Sequence, residues 1–262
     1  MTRLRRLPAL LLVAAGVACA GPVGAQALGP DPARHAPGPF DALLIDGAGQ
    51  VLLSQGERDE VLVASDNGLA RSVEVHLSGH RLTLIVPGSW KFWRSGRPQI
   101  EVRMRELRQV TLSGRTDLYA PAPIRAGQVS VSISGSGNVR MDALTAEQLS
   151  FDVSGAGEGQ FAGEVERLGT RISGNGKLRA PRLRSSQADI SISGVGNADL
   201  WVTGDLKVRI SGAGAVSYLG EPALHQSISG VGSVRRYVGP LPPPPPPPSP
   251  PPAPPPPAPP PP

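Results

Sequence analysis

Val129-Ser130-Val131-Ser132-Ile133-Ser134-Gly135-Ser136-Gly137-Asn138-Val139-Arg140-Met141 alternates apolar and polar residues on either side of a Ser-Gly-x-Gly corner. An aliphatic residue followed by this corner recurs at Ile133, Val153, Ile172, Ile192, Ile210 and Ile228, in steps of 20, 19, 20, 18 and 18 residues. A fixed step near 20 is the signature of a solenoid, in which one coil cannot bury its apolar side until neighbours stack on it. Period-two alternation marks a half-buried strand. It repeats before the later corners as Leu149/Phe151, Leu168/Thr170, Ala188/Ile190 and Leu206/Val208. A second alternating segment follows each corner: Val139 and Met141, then Phe161, Leu178, Ala198 and Leu200, and Val216 and Tyr218. The two glycines are read as turn residues, because glycine accepts positive φ at little steric cost.

Each coil is therefore expected to be strand, glycine turn, strand and a longer variable connection. Leu144, Val165, Leu183, Val202 and Leu219 in the connections could close a third side. Stacking at about 4.8 Å makes six coils a prism on the order of 30 Å long. Leu112-Ser113-Gly114 reads as a degenerate seventh coil, and Gln226, at a position apolar elsewhere, marks the last. The fold class is all-β, a parallel β-solenoid of about six to seven coils preceded by a β-hairpin-rich N-terminal part.

That N-terminal part offers seven strand candidates: 40–45, 51–54, 61–64, 73–77, 82–86, 100–104 and 110–112. Asp66-Asn67-Gly68 between alternating runs is a hairpin signal. This part reads as one end of the same body, built from irregular first coils with longer excursions.

The ends carry their own signals. Arg3, Arg5 and Arg6 precede an apolar run from Leu7 to Ala18 and small residues up to Ala25, the pattern of a secretory signal peptide, too short to span a membrane comfortably. Cleavage after Ala20 or Ala25 removes Cys19, the sole cysteine. In the alternative, Gly16-Val17-Ala18-Cys19 acts as a lipobox, although it lacks the usual Leu or Val three residues before the cysteine. Either way no disulfide is expected in a compartment that would allow one. The formal charge of +5 includes those three arginines, so the exported chain carries about +2, a weak argument for nucleic acid. Pro242 to Pro262 is a nearly pure proline run. As a polyproline II rod it would reach on the order of 65 Å, as a spacer, a tether or a docking site. The chain thus divides into a signal peptide (1–25), a Pro-, Gly- and Ala-rich linker (26–39), a solenoid domain (40–239) and a polyproline tail (240–262).

Phe40-x-x-Leu43-x-x-Asp46-Gly47-x-Gly49-x-Val51, the serial Ser-Gly-x-Gly coils, and the ending Tyr218-Leu219-Gly220-Glu221-Pro222-Ala223 before Ile228-Ser229-Gly230 together resemble the head GIN domain family, DUF2807, described as auto-transporter adhesins. The resemblance covers roughly residues 40 to 237 and implies an exported bacterial β-solenoid. It brings no established catalytic residues.

Chemistry was sought column by column. The outward columns are Ser132/Asp152/Arg171/Ser191/Arg209/Ser227, Ser130/Ser150/Gly169/Asp189/Lys207/His225 and Asn138/Glu158/Lys177/Asn197/Ala215/Ser233. They place Asp152 beside Arg171, Asp189 beside Lys207 and Glu158 beside Lys177, as a solvated parallel ladder should. A catalytic carboxylate pair of Asp152 and Asp189, as in a polysaccharide-active β-helix enzyme, is the less favoured reading. No helix follows the Gly-x-Gly units, so they form no phosphate cradle. His76 and His80 would need a third ligand to hold a metal. The motif serines are expected to bond neighbouring coils. No cofactor and no metal is expected. Trp90, Phe92 and Trp93 crowd one turn beside Arg94, a candidate surface for stacking on sugars or meeting lipid, or else a cap on the solenoid's open end.

The sequence thus points to an exported, non-enzymatic envelope protein of binding or adhesin-like character. A structural component tethered by the tail is the rival. The expected partners are envelope polysaccharide or another envelope protein, with edge-to-edge self-association open. Neither nucleic acid nor a transmembrane span is expected.

Overall fold

Ile133, Val153, Ile172, Ile192, Ile210 and Ile228 stand in register, each paired with the next across parallel strands. The first five are at most 1% exposed. The computed structural model describes residues 33–64, 73–86 and 99–238, and these contain strands and no helix. The expected signal peptide (1–25), the hairpin expected at Asp66-Asn67-Gly68 and the proline run (240–262) lie outside the described residues.

The N-terminal strands are β1 (Ala33–His35), β2 (Ala42–Asp46), β3 (Ala48–Gln55), β4 (Glu60–Ala64), β5 (Glu74–Ser78), β6 (Arg81–Ile85), β7 (Gln99–Met104), β8 (Gln109–Leu112) and β9 (Arg115–Ala120). The repeating coils are β10 (Ile124–Ile133), β11 (Ser136–Val153), β12 (Ala156–Ile172), β13 (Asn175–Ile192) and β14 (Val195–Ile210). The last coil and a half is β15 (Ala213–Leu219), β16 (Ala223–Ile228) and β17 (Val231–Arg236). β1 falls inside the stretch expected to be a linker, where it pairs antiparallel with β4.

The six motif copies stack in consecutive turns, with Leu112 in line beneath Ile133 as the seventh. The inward columns are buried as expected from the alternation, from Val129, Val131 and Ile133 to Leu206, Val208 and Ile210. The third side is more regular than the sequence suggested. The strands of a coil run 16 to 18 residues, from one Ser-Gly corner to the next. Leu144, Val165, Leu183 and Val202 are buried along that side. The steps differ by up to two residues, and the register shifts that absorb this lie between Met141 and Leu144, Gln160 and Ala162, Ala180 and Arg184, and Ser185 and Gln187. The corners therefore stay aligned while the bulges take the slack.

The corner glycines have a different reason from the one expected. Positive φ occurs at Gly38, Gly47, Gly79, Gly163 and Gly220, none of which is a motif glycine. What the first motif glycine requires is close approach. A Cβ on Gly174 would run into the carbonyl oxygens of Gly155 and Ser154, and the same clash repeats at Gly135, Gly155, Gly194, Gly212 and Gly230. The corner serines bind the preceding coil as expected, Ser134 Oγ donating to the Leu112 carbonyl at 3.3 Å and Ser173 Oγ to that of Val153 at 3.4 Å.

The N-terminal part belongs to the same stack, but not in chain order. β2 lies between β6 and β8, and β3 between β7 and β9, all parallel. The chain starts one coil in, doubles back to lay β6 and β7 outside, then returns as β8 and β9. Gly47, at φ 126°, sits under the Val86 carbonyl in this junction. Among the described residues β5 and β6 form a hairpin, while β4 pairs with β7 and β1.

Inside the tube, Thr170 occupies the column of Val131, Phe151, Ile190 and Val208. It is 5% exposed, and its buried Oγ1 has no hydrogen-bond partner. Thr170→Val keeps the shape and removes an unsatisfied hydroxyl. It is expected to stabilise the fold by about 1 kcal/mol, read as a higher denaturant midpoint at unchanged m-value.

Candidate functional site: a polar groove across the coils

Two outward columns meet where the third side turns into the face that precedes each corner. One is Gln128, Gln148, Arg167, Gln187 and Asp205. The other is Ser130, Ser150, Gly169, Asp189, Lys207 and His225, in the order the sequence predicted. Between them runs a shallow hollow in two parts that share Gln148. The first part is bounded by Glu106, Arg108 and Glu147, the second by Arg167, Asp189, Lys207 and His225. From the Arg108 row to the His225 row this is six coil steps, on the order of 30 Å.

Gly169 deepens the hollow. It has ordinary strand φ, and a Cβ there would meet nothing nearer than Ser150 Oγ at 3.8 Å. Glycine in a strand interior weakens the strand, so the backbone gives no reason for it here. The missing side chain leaves a gap in the Ser150–Asp189 ladder, floored by Leu168 and Ala188. The walls are amides, hydroxyls and single charges repeated at the coil spacing. Gln148 Nε2 reaches Ser150 Oγ at 3.4 Å. Asp189 is held by Arg209 at 2.9 Å.

The expected ion pairs are partly redrawn. Asp152 pairs with Arg171 at 3.6 Å. Asp189 and Glu158 instead reach diagonally past their registered lysines, to Arg209 and to Arg179 at 2.8 Å. The guanidinium fork reaches further and grips a carboxylate better than an ammonium does. Asp152 and Asp189, the considered catalytic pair, are thus each engaged by a separate arginine. His76 Nε2 lies 3.2 Å from Glu74 Oε2, at the exposed β5–β6 hairpin. Among the described residues no three His, Cys, Asp or Glu side chains converge to hold a metal ion.

On the other outward face, Tyr119 donates to Asp142 Oδ2 at 2.9 Å and lies 5.1 Å from the Arg140 guanidinium. Burial, followed by the Asp142 carboxylate, pushes the Tyr119 phenol above its ordinary value, against the lowering by Arg140. Trp90, Phe92, Trp93 and Arg94 lie outside the described residues. The stretch that holds them departs after Val86, whose N–H donates to the Asp46 carbonyl, and rejoins at Gln99 opposite Gln50. Those anchors belong to the corner row of the outermost N-terminal coil. The groove itself was visible in the sequence only as columns. Its one local signal was the glycine in a column otherwise polar.

The architecture and this surface define a parallel β-solenoid with one long polar hollow across its coils. The chain belongs to the family described as "Putative auto-transporter adhesin, head GIN domain" (DUF2807), which matches residues 39–222. Its fold is shared by a protein of Bacteroides fragilis described as a "putative adhesin", 20% identical, with a TM-score of 0.75, over 79% of this chain and 96% of that one. A "putative lipid binding protein" of Parabacteroides distasonis, 18% identical, has a TM-score of 0.63 over the same shares. A "putative adhesin" of Parabacteroides merdae, 19% identical, has a TM-score of 0.58, again over 79% and 96%. No curated protein matches the chain.

Proposed function

We propose that this protein is an exported, non-enzymatic binding protein of the bacterial envelope, adhesin-like in action, whose groove holds an extended polyhydroxylated polymer such as envelope polysaccharide. The carrying observation is the ladder of amides and hydroxyls at coil spacing, opened at Gly169. Sugar hydroxyls both donate and accept, and Gln and Ser side chains do the same. A chain lying across the strands meets polar or charged side chains at every coil, Gln and Ser on the first two and charged groups from Arg167 onward. The family description and the adhesin names of its structural neighbours support binding. The composition of residues 1–25 supports export, with lipidation at Cys19 as the alternative anchor. Trp90, Phe92 and Trp93 are a second candidate contact by residue type, since aromatic faces stack on sugar rings.

The test is a glycan array followed by calorimetric titration with purified capsular and cell-wall polysaccharides, with phospholipid vesicles as the competing arm. Gln148→Ala with Gln187→Ala removes two rungs and is expected to weaken polysaccharide binding about tenfold, at about 0.5–1.5 kcal/mol for each lost hydrogen bond. Unchanged affinity in that variant, with loss in Trp90→Ala plus Trp93→Ala, would move the site to the aromatic turn. Binding to vesicles alone would replace the polysaccharide reading.

A further inference from the structure

The two ends of the solenoid differ. The N-terminal end finishes in short antiparallel strands, β5 on β6, β4 on β7 and the three-residue β1 on β4. Short edges of this kind resist further pairing. At the C-terminal end, β16 pairs with β14 and β17 with β15, and the outer edge of both carries no strand among the described residues. Ile228 and Val231 are exposed there, the latter at 80%.

The open edge has a definite pattern. Ser229 and Val231 donate back to Ile210 and Gly212, and Tyr237 donates to Tyr218. In a parallel ladder both backbone groups of a residue face one neighbour and those of the next face the other. The groups that face away from the body are therefore those of Leu224, Gln226, Ile228, Gly232, Val234 and Arg236, with the Gly230 carbonyl at the corner between them, while the Gly230 N–H donates back to Ile210. Nearly every residue from 240 to 262 is proline and lacks an N–H to donate.

We propose that a second copy of this same edge occupies it, forming a closed two-fold dimer. β16 and β17 have six residues each and flank the Ser229-Gly230 corner. A two-fold axis through Gly230 lays β16 of one copy antiparallel to β17 of the other, on both faces at once. Leu224 then faces Arg236, Gln226 faces Val234 and Ile228 faces Gly232. Apart from the Gly230 carbonyl, which faces its own copy at the axis, the outward-pointing N–H and carbonyl groups of the ribbon meet their complements, in the hydrogen-bonded pairs of an antiparallel ladder. Both members of each pair belong to inward columns, so the two tubes join core to core. Arg235 and its copy fall at opposite ends of the ribbon, away from each other. An axis through either strand alone would pair one face and leave the other open. The outermost described strands of the N-terminal end, β5 and β1, do not flank a shared corner and so make no matching two-strand ribbon, and assembly stops at two.

Sedimentation equilibrium on the full chain is expected to give twice the chain mass. Gln226→Pro deletes one outward N–H while sparing the bonds to β14, and is expected to give a single chain with an unchanged circular dichroism spectrum. A cross-link keeps the test independent of that variant's folding. Ser227 and Ser233 of the two copies form a non-hydrogen-bonded pair, with Cα atoms about 4.5 Å apart, which a disulfide spans. Ser227→Cys with Ser233→Cys is expected to yield a covalent dimer on a non-reducing gel, beyond anything formed by the parent chain with its one cysteine, Cys19. A single chain mass at a hundred micromolar, a series of higher oligomers, or no cross-link beyond the parent's overturns the proposal.

Discussion

Gly174→Ala is expected to disrupt the middle of the solenoid, while Gly169→Ala, five residues upstream, leaves it equally or more stable. At Gly174 the added carbon meets backbone carbonyls of the coil below, which cannot turn aside as a side chain could. Relieving the clash means lifting one coil off the next. That breaks corner bonds such as Ser173 N to Val153 O, at 2.9 Å. Overpacking in a soft core costs about 1–3 kcal/mol, and a rigid corner belongs at or above the top of that range. Each repeat is held by its neighbours, so the loss spreads in both directions. At Gly169 the methyl makes only ordinary van der Waals contact, with Ser150 Oγ at 3.8 Å and the Leu149 carbonyl at 3.9 Å, and needs no positive φ, and reduced freedom of the unfolded chain favours alanine by about 0.4–1 kcal/mol. Urea denaturation of the two variants decides the matter. Equal losses would mean that the corner is not a backbone contact. If the groove is the binding face, Gly169→Ala also weakens polymer binding while it stabilises the fold, the usual opposition where a site is kept at the expense of stability.

The difference between these glycines shows what the sequence disclosed. The inward columns were legible because alternation fixes which side chains share a face, and the constant motif fixes register. Stacking Ile133 on Val153 on Ile172 needed nothing else. The reason for the corner glycines was not legible, since positive φ and close approach leave the same residue in the same place. The third side was understated because its apolar residues are sparse and its length varies. Only the pairing shows that bulges between Met141 and Leu144 and at like positions absorb the difference. The insertion of β2 between β6 and β8 rests on contacts between distant segments, for which local pattern carries no signal. Ion pairs were right in coil and wrong in column where an arginine stood two residues along the strand from the registered lysine, as at Asp189 and Arg209. The groove is a concavity made by a missing side chain at a bend. A single column read in isolation has no depth.

Phe151→Ala is expected to be among the most destabilising single truncations in this core, and its partner at Gly159 makes the expectation specific. Phe151 is fully buried and meets Phe161 edge to face, with ring centroids 5.3 Å apart and planes at 71°. The two rings share one coil, and room for them comes from Gly159. A Cβ on Gly159 would fall 2.5 Å from Phe151 Cζ and 2.7 Å from Phe161 Cε2. In its column the neighbours are Val139 and Leu178, so this coil has exchanged an aliphatic residue for space to hold an aromatic pair. Removing the Phe151 ring leaves a cavity between two neighbouring coils that cannot collapse along their ladders, and costs about 3–5 kcal/mol. Gly159→Val alone costs about 1–3 kcal/mol by overpacking. In the double variant the valine fills part of the space the ring has left. The two losses should therefore sum to more than the double loss, by a coupling of about 0.5–3 kcal/mol. Guanidinium denaturation of the four proteins in the cycle measures it. Additive losses would show that the glycine is not what makes room for the rings, and Gly159 would then be without a packing reason in a column that is apolar everywhere else.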